Sequence, residues 1–169
     1  MSFFASSTFT QLHVVLSFIG IGAGLVALFG MFKNKPLNGW THVFLLTTAA
    51  TTLTGFLFPF KGFTPAIGTG IVSTLVMVPT FLGRYAFHYA GAWRRTYIIG
   101  AVVSLYLNCF VLVVQAFLKV PALNALAPQG KEPPFVLVQG IVLVLFVIAG
   151  ILAVRRFHPA AAQPALATS

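Results

Sequence analysis

The chain has 169 residues, 59% hydrophobic and 7% charged, with ten Lys or Arg against a single acidic side chain and a net charge of +9. A soluble domain carries about 25% charged residues, so this chain cannot clothe itself in a water-compatible surface, and its mean hydropathy of +0.98 agrees. A soluble globular enzyme is excluded. So is a nucleic-acid binder, which needs a dense basic face on a polar module, whereas these bases lie between long apolar runs.

A bilayer-crossing helix needs about 20 mostly apolar residues. Charged residues divide the chain into five stretches that qualify, predicting an all-α polytopic transmembrane bundle with spans at about 9–32, 38–60, 65–88, 96–119 and 134–156. These make one domain over 1–157, followed by a small, polar tail, 158–169, expected to be disordered. Short connections at 33–39 and 61–65 make consecutive helices antiparallel neighbours, and only the proline-rich connection 120–134 is longer. Pro133 and Pro134 suit the first turn of the last helix, where a missing N–H costs nothing.

Lys33, Lys35, Arg84, Arg94, Arg95, Arg155 and Arg156 fall on one side of this arrangement, and Lys61, Lys119 and Lys131 on the other. The positive-inside rule then places the N-terminus outside and the C-terminus in the cytoplasm. Trp40, Tyr85, Tyr89, Trp93 and Tyr97 fall on the richer side, as an interfacial aromatic belt does. The one cysteine, Cys109, leaves no intrachain disulfide to form.

In the first span, Ser17, Gly20, Gly24 and Ala27 share a face, and Gly20 and Gly24 are a small-xxx-small pair suited to close helix packing. The second span is rich in threonine (Thr47, Thr48, Thr51, Thr52 and Thr54). Their hydroxyls are expected to bond back to carbonyls one turn earlier, with a polar lining as the alternative. Pro79 is expected to kink the third span.

The fourth span carries Ser104, Asn108, Gln115 and Lys119, which 100° per residue keeps within about 60° of one another. This polar stripe reads either as interhelical hydrogen bonding or as a small-molecule or cofactor site, with Lys119 snorkelling to the interface. His13 lies on the Ser17 and Gly20 face of the first span, while His42 and His88 occupy one leaflet of adjacent helices. A histidine on each of two neighbouring helices can ligate a b-type haem; the plainer reading is a pair of interfacial histidines. Glu132 is the only acid and lies in a loop, so the carboxylates on which proton relays and Ser-His-Asp hydrolysis depend are missing from every span. No ligand spacing supports a metal site.

The stretches GFLFPF at Gly55–Phe60, FHYAGAWRR at Phe87–Arg95 and LNCFVLVVQAFLKVPALNALAPQGKEPPF at Leu107–Phe135 resemble a group of short, uncharacterised bacterial integral membrane proteins. The resemblance implies a bacterial inner-membrane setting and a five-span bundle, and brings no activity with it. The leading functional expectation is a non-catalytic membrane subunit or scaffold that packs against partner membrane proteins or copies of itself. The alternatives are a haem- or quinone-binding redox protein using His13, His42, His88 or the Asn108–Gln115 stripe, and an uncoupled channel or carrier for a neutral or anionic solute.

Overall fold

The structure, a computed structural model, describes residues 7–58 and 65–159. The described residues are all-α: α1 (Ser7–Phe32), α2 (Asn38–Phe56), α3 (Pro65–Phe81), α4 (Ala92–Lys119), α5 (Pro121–Leu126) and α6 (Pro133–Arg156), with a π-helical turn at Leu82–Ala86. Four segments are long and apolar enough to cross a membrane: Ser7–Phe32, Ile67–Ala86, Trp93–Lys119 and Pro133–Arg156. α2 has the length, 19 residues, but its threonines dilute its apolar content. Part of the expected tail, 160–169, lies outside the described residues, as does the connection 59–64 that carries Lys61.

Local chemistry sets the boundaries. α3 runs through Pro79 and gives way three residues later to the π-helical turn, as follows from a proline that can supply no backbone donor. α5 and α6 each start on a proline, whose fixed φ suits a first turn. α5 occupies part of the long, proline-rich connection 120–134.

α4 is the hub, packing against α1, α2, α3, α5 and α6. The core cluster joins Ala23, Leu28 and Met31 of α1, Phe44 and Leu45 of α2, Tyr97, Ile98, Ala101, Val102 and Leu105 of α4, and Ala153 and Phe157 at the end of α6. Because lipid competes equally for apolar side chains, close backbone approach must hold such helices together. At Gly24 a Cβ would come within 2.6 Å of Leu105 and 2.8 Å of Phe44. At Gly100 a Cβ would overlap the hydroxyl of the fully buried Thr80, so Gly24 and Gly100 let α1 and α3 approach α4. Gly20 and Ala27 are buried on the same α1 face.

α6 differs from the rest. Along its 24 residues Ala153 is the one buried among the described residues, and Val136, Leu137, Ile141, Val144, Leu145, Val147, Ile148 and Ile151 are all exposed.

Candidate functional site

Polar side chains form three groups along the bundle. In the first, on α1 and α2, the His13 ring nitrogen Nδ1 lies 2.8 Å from the Thr54 hydroxyl. The ring stands edge-on to Phe58 at 5.2 Å, and Ser17 donates to the His13 carbonyl at 2.8 Å. Thr54 and Thr47 also donate to the carbonyls of Ala50 and Val43, at 2.7 and 2.6 Å, so these two hydroxyls return to their own helix.

The second group joins α2 to α4. Asn108 donates through Nδ2 to the Thr48 hydroxyl at 3.1 Å, and Thr48 is 1% exposed. Ser104, one turn before Asn108, is buried with no partner for its hydroxyl among the described residues. Gln115 is half-buried and Lys119 exposed; the four stripe residues therefore pass from the bundle interior to its surface. Gln139 of α6, which sequence reasoning missed, donates to the Phe110 carbonyl at 3.1 Å. Its position in an apolar run was the available signal, since an amide at that depth seeks a partner.

The third group gathers the end of α1, the start of α2, the turn after α3, the start of α4 and the end of α6. Its centre is Arg84, 7% exposed. The guanidinium donates to the Tyr89 hydroxyl and, at 3.1 Å, to Oδ1 of Asn38, the first residue of α2. The rings of Tyr85, Tyr89 and Tyr97 surround it at 5.4, 5.8 and 5.9 Å, close enough for cation–π attraction. Burial pushes the Tyr89 phenol above its ordinary value of 10.0, and the Arg84 charge only partly opposes it, so Tyr89 meets Arg84 as a neutral acceptor at physiological pH. Thr41 and Tyr97 are both buried beside this group. Arg94 closes the end of α6, donating to the carbonyls of Val154 and Phe157 at 3.0 and 2.6 Å, which satisfies carbonyls that a helix end leaves open. The His158 amide reaches Oδ1 of Asn34 at 2.7 Å.

His42 and His88 are both exposed. His42 Nδ1 lies 2.6 Å from the Asn38 carbonyl and its ring packs on Tyr85 at 5.4 Å. His88 sits in a turn with φ of 46°. Among the described residues no three His, Cys, Asp or Glu side chains cluster as a metal site. Two apolar grooves run along the surface. One of about 400 Å³ lies between α4 and α6, walled by Tyr106, Phe146, Val147 and Gly150 among others; one of about 440 Å³ lies between α2 and α3, walled by Thr52, Met77, Phe81 and Tyr85 among others. Neither is lined by a histidine.

Glu132 stands immediately before α6. It accepts from the backbone N–H groups of Gln129 and Lys131 at 3.0 and 2.9 Å. Slight desolvation pushes its pKa up, but these backbone donors outweigh it and hold the carboxyl below the ordinary 4.5.

Compared with protein families, with curated proteins and with solved structures, the chain matches none.

Proposed function

We propose that this chain is a non-catalytic integral membrane subunit that packs through α6 against a partner membrane protein or a second copy of itself. In this reading all five long helices span a bacterial inner membrane, antiparallel to their sequence neighbours, with the N-terminus outside and the C-terminus in the cytoplasm. The contacts His13–Thr54 and Gly24–Phe44 support α2 as the fifth span: Thr47 and Thr54 bond to carbonyls of their own helix, and Thr48 and Thr52 meet the side chains of Asn108 and Met77.

The observation that carries the proposal is Gly140, exposed a third of the way along α6 with nothing among the described residues within 4 Å of where its Cβ would stand. A glycine inside an exposed helix costs about 1 kcal/mol relative to alanine, and no neighbour among the described residues requires it. An incoming helix would, because small residues let backbones approach closely in lipid. Gly140, Leu143, Val147, Gly150 and Val154 repeat at three- and four-residue steps, and the last four of them wall the α4–α6 groove.

The test is a cysteine scan along α6 in native membranes, with Cys109 replaced by serine and oxidative cross-linking read by gel and mass spectrometry. Association predicts products that peak at positions 140, 143, 147, 150 and 154; a doubled mass assigns a second copy, and a different defined mass assigns a partner. Uniform failure to cross-link overturns the proposal.

A further inference from the structure

Among the described residues Arg84 is a cation buried without a counter-charge. Only one acidic side chain exists in the sequence, and it is at the far end of α6. Arg94 holds the carbonyls at the C-terminal end of that helix, whereas Glu132 precedes its first residue; 24 residues at about 1.5 Å each separate them by about 36 Å. The neighbours of Arg84 are neutral: a phenol, an amide and aromatic faces. Its Nε is buried with no hydrogen-bond partner among the described residues. Leaving a buried charge uncompensated is costly, so the arrangement calls for an anion.

The surroundings favour one. The guanidinium docks on Asn38, the first residue of α2, and that helix has no side-chain cap on its N-terminus. Its first N–H groups and dipole add partial positive charge at the same point. Asn38, Tyr85 and His42 are exposed, so the position is reachable from outside. Lys33 and Lys35, in the connection that leads into α2, add positive charge close to its N-terminus.

We propose that Arg84 and the N-terminus of α2 form a binding site for a phosphate-class oxyanion, held by the guanidinium, the Asn38 amide and the first backbone N–H groups of α2. The same chemistry fits the headgroup of an anionic phospholipid or free inorganic phosphate.

The experiment uses the full chain in phosphatidylcholine nanodiscs, with either phosphatidylglycerol in the disc or inorganic phosphate in the buffer, and reads the thermal unfolding midpoint against added anion. A rise with phosphatidylglycerol alone assigns a lipid headgroup, and a rise with phosphate assigns a free anion. Removing Arg84 endangers the fold, so the decisive variant is Asn38→Asp, which places a carboxylate beside the guanidinium. It should raise the midpoint without ligand and weaken the anion response about tenfold or more, as expected for loss of a charge-assisted bond. The double variant Arg155→Gln, Arg156→Gln should retain the response. No response to either anion, an undiminished response in Asn38→Asp, or loss only in the Arg155–Arg156 variant would overturn the proposal.

Discussion

Single residues decide whether these helices can touch. Gly24 and Gly22 are two positions apart on α1, yet a Cβ at Gly24 runs into Leu105 and Phe44 while one at Gly22 meets nothing within 4 Å. Gly24→Val should therefore destabilise the bundle by about 1–3 kcal/mol, the usual cost of overpacking, and Gly22→Ala should stabilise it by up to about 1 kcal/mol; reversible unfolding in mixed micelles measures both. Asn108→Leu removes the bond to Thr48 and should cost about 1 kcal/mol, the scale of interhelical hydrogen bonds in membranes. Glu132 supplies a pH dependence. Its folded pKa is depressed, so its contribution is present above the ordinary carboxylate value and is lost as pH falls through the lowered one. Protection of the Gln129 and Lys131 amides from hydrogen exchange should fall over that acidic range, and in Glu132→Gln it should be lower at neutral pH and no longer change with acidification.

Elements divide the labour between holding the fold and facing outward. α4 is the hub, and its buried residues Tyr97, Ile98, Ala101 and Leu105 lie towards its first half. Leu105, 1% exposed, should cost about 2–5 kcal/mol on substitution by alanine, part of it for the cavity left behind. α6 is held at its end by Arg94 and Ala153 and along its length by Phe135, Gln139 and Phe146 against α4, while its outer face exposes Val136, Leu137, Ile141, Val144 and Ile148. Gly140→Leu should leave the unfolding midpoint of the isolated chain unchanged or slightly raised, because leucine is the better helix former, while abolishing association in the membrane. Equal losses of stability and association would place Gly140 inside the fold of the single chain.

At the scale of the whole molecule, long apolar runs made the all-α membrane architecture readable from sequence, and the small-residue face of α1 is where the structure places Gly20, Gly24 and Ala27. Partnership between distant residues was harder to read. Arg84 looks like one more rim charge in the sequence; its tyrosine surround and the bond to Asn38, 46 positions away, exist only once the turn after α3 meets the start of α2. Gly83 and Gly100 escaped notice for the same reason: their value lies in Trp93, Tyr97 and Thr80, on elements that no local period connects. The Ser104 and Asn108 positions were legible because one helix carries both, whereas the Thr48 partner required a second helix. The composition itself takes on a division of roles, with nearly all the charge at helix ends and connections and an apolar surface that needs either lipid or another protein against it.

The central claim is that α6 meets another helix. Its most direct test is the mass of particles extracted from native membranes into polymer-bounded lipid discs, with the lipid counted separately. The account predicts protein mass beyond one 18.1 kDa chain for the natural sequence and a single chain for Gly140→Leu. One chain per disc for the natural sequence would contradict it.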